Sequence, residues 1–326
     1  QCSSEITARY KARLLQGDSL TDLTGGFGID CSFLATGFKS ATYVERQEEL
    51  CEIAAHNFPV LNLNHINIKN EDGVTYLQAM SPVDCLFLDP ARRNEHGGKT
   101  VAISDCEPNV AELEELLLQK ANRVMIKLSP MLDLSLALKE LKQTQEVHIL
   151  SVNNECKELL ILLGQTSPAE ISIHCVNLFT KGTQKEQHFV FTREQEQCSE
   201  CTYTDSLETY LYEPNASLLK AGAFRSIAAA YPVRKLHPNS HLYTSDTFIE
   251  NFPGRIFRIV NQCSFNKKEV KENLADLKKA NVTVRNFPAT VAELRKRIHL
   301  AEGGDTYLFA STLNNGQKVL IRCEKV

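Results

Sequence analysis

Asp22-Leu-Thr-Gly-Gly-Phe-Gly-Ile-Asp30 is the stretch on which the fold turns. A short apolar opening, Leu20 to Leu23, reads as a strand end, and Ile29, Phe33, Leu34 and Phe38 follow with helical spacing. Strand, glycine-rich turn and helix together make the context of a nucleotide-binding loop. Glycine permits close backbone approach and angles closed to other residues. The helix start adds unpaired N–H groups for the polar end of a ligand.

Working outward, Ala41 to Val44 reads as a second strand ending in Glu45, seventeen residues after Gly28. An acid at that strand end can accept bonds from ribose hydroxyls. Asn70-Glu-Asp-Gly73 is an acidic turn that opens another helix. Val83-Asp-Cys-Leu-Phe-Leu88 is a buried strand running into Asp89-Pro-Ala-Arg-Arg93. The loop does not complete the dinucleotide pattern, since Cys31 stands at its third glycine site, which argues against NAD.

This succession resembles the class I S-adenosylmethionine (SAM) methyltransferases, and more narrowly the family with a C-terminal THUMP-like domain. The phrases carrying the resemblance are Ser3-Ser-Glu-Ile-Thr-Ala-Arg-Tyr-Lys11, Asp22 to Asp30, Asp89 to Arg93, Tyr212-Glu-Pro-Asn-Ala216, Ser240-His-Leu-Tyr-Thr244 and Glu302-Gly-Gly-Asp-Thr-Tyr-Leu-Phe309. They cover nearly the whole chain. The Asp22 and Asp89 motifs belong to the superfamily at large, the later ones to the narrower family. The resemblance implies a doubly wound, mostly parallel Rossmann-like α/β sheet with an antiparallel end strand. It also implies a small C-terminal α+β domain of ferredoxin-like, THUMP-like form. Alternating strands and helices from residue 18 to about 152 agree with that sheet.

The expected domains are a methyltransferase domain at 1–195, a small connecting module at 205–254 and the THUMP-like domain at 255–326. Within 1–195, Glu146 to Val152 and Glu158 to Leu163 read as a hairpin about Asn153-Asn154, and 193–202 as a polar loop. The tail reads strand, helix, strand, helix, strand, strand, with Asn314-Asn-Gly316 as its last turn.

By the resemblance, Asp22, Thr24, Gly26, Gly28, Glu45 and Asp72 would grip SAM, with Glu71 an equal competitor to Asp72 for the adenine amino group. Thr24 departs from the glycine common in the superfamily. Asp89, Pro90 and Arg92 correspond to the Asp/Asn-Pro-Pro-aromatic motif that orients the methyl acceptor. Ala91 replaces its second proline, and Arg92 stands where an aromatic ring usually stacks a base. A guanidinium can stack on a base and bind phosphate, so base binding survives, while nitrogen and carbon acceptors both stay open. Arg93, Lys127, Arg295 and Arg297 are candidate substrate contacts; for Lys127 a packing role stands beside the functional one.

The chain has 326 residues, a net charge of −4 and 43% hydrophobic residues. Two or three domains are expected. Residues 255–326 carry 14 Lys and Arg against 7 Asp and Glu, leaving 22 against 33 for residues 1–254. A basic tail on an acidic body suits nucleic-acid contact and equally an ordinary solvated lysine surface. Eleven cysteines scattered partly through apolar strands read as buried thiols of a reducing, cytoplasmic setting. Cys198-Ser-Glu-Cys201 is a lone pair, the histidines show no ligand spacing, and no metal is expected. No apolar run spans a membrane, and since the chain opens at Gln1, further residues are expected upstream. The function implied is methyl transfer from SAM to RNA, a tRNA or rRNA base. A small-molecule or protein methyltransferase, or a SAM-binding protein without catalysis, stand as alternatives.

Overall fold

The computed structural model describes residues 2–92 and 102–326; the Arg92 side chain is outside the described set, as is Arg93. Backbone contacts divide the chain into two units, 1–192 and 193–326.

The first unit opens with helix α1 (Glu5–Ala12). Then come β1 (Ser19–Asp22), α2 (Ile29–Leu34), β2 (Ser40–Glu45), α3 (Glu48–Val60), β3 (Ile66–Asn70), α4 (Gly73–Ala79) and β4 (Val83–Leu88). Two short strands, β5 (Ala91–Arg92) and β6 (Cys106–Glu107), precede α5 (Val110–Lys120), β7 (Ala121–Leu128) and α6 (Leu134–Glu140). The unit closes with β8 (Thr144–Val152), β9 (Glu155–Gly164), β10 (Ser172–Leu178) and β11 (Glu186–Phe191). Nine strands form one sheet in the order β11-β10-β8-β9-β7-β4-β1-β2-β3. The expected doubly wound, mostly parallel sheet is what forms.

The hairpin strand β9 runs antiparallel between β7 and β8, and β11 is an antiparallel edge. Its turn residues Asn153 and Asn154 both have positive φ, 50° and 67°. Asparagine tolerates that conformation, and such two-residue turns match the twist of the strands they join. Cys85 to Leu88 of β4 and Val124 to Ile126 of β7 are continuously apolar because helices cover both faces. One face of the core gathers Leu20, Leu34, Phe87, Met125, Leu150 and Leu162, with Tyr10 of α1 laid over it. Each such side chain, fully buried, contributes about 1.5–3 kcal/mol. Strand order reverses between β4 and β1, and in open α/β sheets ligands bind at the carboxyl ends there.

The second unit contains α7 (Arg193–Cys198), β12 (Tyr210–Pro214), α8 (Ala216–Ala221), α9 (Ser226–Ala230), β13 (Arg234–Lys235) and β14 (Tyr243–Ser245). β15 (Gly254–Ser264), α10 (Lys267–Leu274), β16 (Lys279–Val284), α11 (Val291–Ile298), β17 (Ala301–Thr312) and β18 (Lys318–Lys325) complete it. Its seven strands form one sheet, β13-β14-β12-β15-β18-β17-β16. Residues 205–254 therefore supply strands to the same sheet as the tail. The polar stretch expected to be a loop is helical over Arg193–Cys198, corrected by a capping role. Glu196 accepts from the N–H groups of Phe224, Arg225 and Ser226 at 3.0, 2.8 and 2.8 Å, and Glu and Gln are good helix formers.

Candidate cofactor and acceptor site

The glycine loop is held by its neighbours. An added Cβ on Gly25 would lie 2.2 Å from the Tyr43 ring, so only glycine fits there. Tyr43, wholly buried, donates its hydroxyl to the Gly26 carbonyl. Gly26, with φ +53°, takes a conformation that costs other residues energy. Gly28 caps α2.

Asp22 ends β1 with 1% of its surface exposed. Its Oδ1 accepts from the Thr24 N–H at 3.0 Å and faces the Thr24 hydroxyl at 3.5 Å. That hydroxyl accepts from the Asp89 N–H at 2.6 Å. Thr24, the departure from glycine, thus ties the ends of β1 and β4 together, a bond glycine could not make. Burial, with Asp30 and Asp89 close by, pushes the Asp22 carboxyl up to about 8 against the pull of the Thr24 N–H and Lys127.

Glu45 Oε2 accepts from Gly26 N–H and Oε1 from Gln47 N–H, each at 2.9 Å. Each oxygen keeps a further lone pair. Asp72 caps α4 through Oδ1 alone, which takes the Val74 and Thr75 N–H groups at 3.0 Å, leaving Oδ2 for a ligand. Glu45, Asp72, Gly26, Thr24 and Asp89 line one cavity of about 500 Å3. Glu107, Pro108, Asn109 and Glu112 form its other wall, brought there by the β5–β6 pairing of Ala91 with Glu107. A second cavity of about 340 Å3 touches Asp22, Gly26, Asp30, Asp89 and Lys127. A third, about 700 Å3, is lined by Asp89, Pro90, Ala91, Lys127, Ser129 and Glu158. Asp89 belongs to all three.

Beneath them lies a buried charge network. Lys127 Nζ is 2.5 Å from Asp89 and 3.0 Å from Asp30, and donates to Ser3 Oγ at 3.1 Å. Lys11, with no exposed surface, bridges Asp30 at 3.0 Å and Glu158 at 2.5 Å. Ser3 donates to Asp30 at 2.8 Å. Burial disfavours the Lys127 charge, yet Asp89 and Asp30 raise its pKa. Asp30 is held low by Lys11 and Lys127 against its burial, whereas burial outweighs Lys127 at Asp89 and leaves that carboxyl raised. Ser3, Lys11 and Asp30 fall within the phrases that carry the family resemblance, but nothing in the sequence paired them with one another or with Glu158.

Two of the expected substrate contacts belong to the second unit. Arg295 donates inward to the Ala280 carbonyl at 3.1 Å. The Arg297 guanidinium lies 4.1 Å over the Phe265 ring and lines a cavity of about 630 Å3 with Lys267, Lys271 and Lys278. Arg255 and Arg285 share the buried Glu213.

A mostly parallel sheet whose reversal point carries a glycine loop, two strand-end carboxylates and an Asp-Pro turn has the architecture of the class I methyltransferases. The sequence and structure comparisons narrow this. A ferredoxin-like domain family matches residues 210–253 and a THUMP-like domain family matches 254–325. A crystal structure described as a "putative methyltransferase from Porphyromonas gingivalis W83" is 37% identical, covers 100% of this chain and 82% of its own, and superposes with a TM-score of 0.90. The chain belongs to the family of class I SAM-dependent methyltransferases that carry a C-terminal THUMP-like domain. An rRNA methylase structure from Streptococcus thermophilus is more distant: 14% identity over 50% of this chain and 98% of that one, TM-score 0.37. Curated proteins gave no match.

Proposed function

We propose that the chain transfers a methyl group from SAM to a base in RNA, tRNA or rRNA being the substrate class. The convergence of three cavities on Asp89 carries this reading. The cavity with Glu45 and Asp72 fits a nucleoside, since Glu45 has lone pairs for ribose hydroxyls and Asp72 Oδ2 for an exocyclic amine. The one with Asp22 and Gly26 fits an amino-acid end, whose ammonium would meet Asp22. The third, with Pro90 and Lys127, is left for the acceptor.

SAM supplies an electrophilic methyl, so the protein's work is alignment and proton handling. Asp89, with its carboxyl raised, accepts a hydrogen bond from an acceptor N–H and can take its proton. Lys127 keeps Asp89 in place and offsets its charge. Thr24 fixes the Asp89 backbone relative to Asp22.

RNA is favoured by the THUMP-like match and the basic surplus of residues 255–326. With Arg255 and Arg285 engaged on Glu213, the phosphate contacts fall to Lys267, Lys271, Lys278 and Arg297 around one cavity. The acidic balance of residues 1–254 favours the second reading, a small-molecule or protein acceptor. Total RNA, a protein extract and a metabolite fraction incubated with methyl-labelled SAM separate the two. Label in RNA supports the first reading; label confined to the other fractions refutes it.

A further inference from the structure

Three histidines take no part in the site above, and the strand register brings them together. β8, β10 and β11 are neighbours in the sheet, and His174 is the direct partner of His148. Their rings stack at 4.3 Å with 14° between planes, and His188 stacks on His174 at 5.3 Å. Glu146 is two residues before His148 and so on the same face. We propose that Glu146, His148 and His174 form a site for a divalent transition metal of the Zn2+ type, with Tyr10 and His188 orienting the two rings.

The ligand atoms of the three residues all lie within 4.8 Å of one another. His148 Nε2 is 3.2 Å from Glu146 Oε2. With bonds of about 2.0–2.2 Å, tetrahedral zinc ligands stand roughly 3.3 Å apart. The His148–Glu146 pair already has that spacing, and the His174 ligand atom lies within 4.8 Å of both. The far nitrogens are held in the manner of metal-bound imidazoles. Tyr10 OH is 2.8 Å from His148 Nδ1, and His188 Nε2 is 3.2 Å from His174 Nδ1. A tyrosine hydroxyl both donates and accepts. It can therefore hold His148 before metal entry and accept from Nδ1–H once Nε2 binds the ion.

The charges suit a cation. Glu146 supplies the one carboxylate of the set. Arg123 holds only Oε1, at 3.0 Å, leaving Oε2 to the ion. Arg13 and Glu186, also near, pair with each other at 2.9 Å. Two nitrogens and one carboxylate suit Zn2+, Ni2+ or Co2+ better than Mg2+ or Ca2+. The site lies toward the amino ends of the strands, whereas Asp22, Glu45 and Asp89 stand at the carboxyl ends.

The test is titration of the whole chain with Co2+, read by visible absorption, beside His174→Ala and Glu146→Gln. The expected result is one equivalent with d–d bands and no near-ultraviolet thiolate transition. Each variant should weaken binding by more than about tenfold, and Tyr10→Phe should weaken it less. His174 and Glu146 are only half-buried, and thermal melting in chelator checks that the variants fold. No d–d band, a thiolate transition from the cysteines, or unchanged affinity in both variants overturns the proposal. Binding of S-adenosylhomocysteine should be the same in His174→Ala and wild type, so failure here leaves the methyltransferase reading intact.

Discussion

Lys127 stands 2.5 Å from Asp89 and 3.0 Å from Asp30, one buried ammonium between the Asp-Pro turn after β4 and the first turn of α2. Its loss leaves Asp30 with Lys11 as its cation and the half-buried Asp89 without one. Lys127→Met should lower stability by about 1–3 kcal/mol, less than for a fully buried pair, because Asp89 is partly exposed to solvent and Asp30 keeps Lys11. Urea unfolding measures this, and a midpoint equal to wild type would refute the network as drawn.

Asp22 carries a sign-specific pH effect. Its folded-state pKa, about 8, lies above its ordinary value of 3.8. The folded chain therefore holds a proton that the unfolded chain has lost, and the stabilising contribution falls as pH rises from about 4 to 8. Asp22→Asn keeps an oxygen for the Thr24 N–H and should gain a few degrees in melting temperature at pH 8, with less gain at pH 5. A gain independent of pH contradicts the assignment.

The same carboxyl links ligand binding to protons. A ligand ammonium beside Asp22 favours its ionised form, so binding at pH 7 should release a proton and tighten as pH approaches 8. Calorimetric titration with S-adenosylhomocysteine in buffers of different ionisation enthalpy detects the release. Equal heats in all buffers would sink the contact.

Asp72→Asn isolates the adenine-side oxygen. Asparagine caps helices as well as aspartate, so stability should stay within about 0.5 kcal/mol. With its oxygen on the Val74 and Thr75 N–H groups, the new amide NH2 would face the ligand amine, donor against donor. The loss should be about tenfold in S-adenosylhomocysteine affinity, on the order of 1–2 kcal/mol. Unchanged affinity would hand the role to another group.

Neutralising Lys267, Lys271 and Lys278 together should make RNA binding less salt-dependent. Each lost contact to single-stranded phosphate lowers the slope of log K against log salt by about 0.7, roughly 2 in all. Filter binding from low to moderate salt measures it. An unchanged slope places the RNA contacts elsewhere.

The sheet and its strand-end acids were legible because each rests on local order: an apolar run, a turn, an acid, a helix. Asp22, Glu45 and Asp89 needed only that pattern. The choice between Glu71 and Asp72 did not follow from it; the cavity is lined by Asp72 and not by Glu71. What stayed hidden was long-range pairing. Lys11 meets Glu158 across 147 residues, and Glu107 reaches the site through a two-residue bridge to Ala91. The basic tail was legible as a charge surplus, but which arginines are spent internally on Glu213 depends on the register of β12 with β15.

That register has a consequence for how the second unit can be cut. β12 pairs with β15 over Tyr210–Pro214 against Gly254–Arg258, across the junction between the two domain families. Severing the chain at residue 254 would strip β15 of β12, leaving it only β18, and bare a row of backbone donors and acceptors. Such a raw edge recruits strands from other molecules. It would also leave Arg255 and Arg285 without Glu213. The smallest inheritable piece of this half is accordingly the pair of domains together.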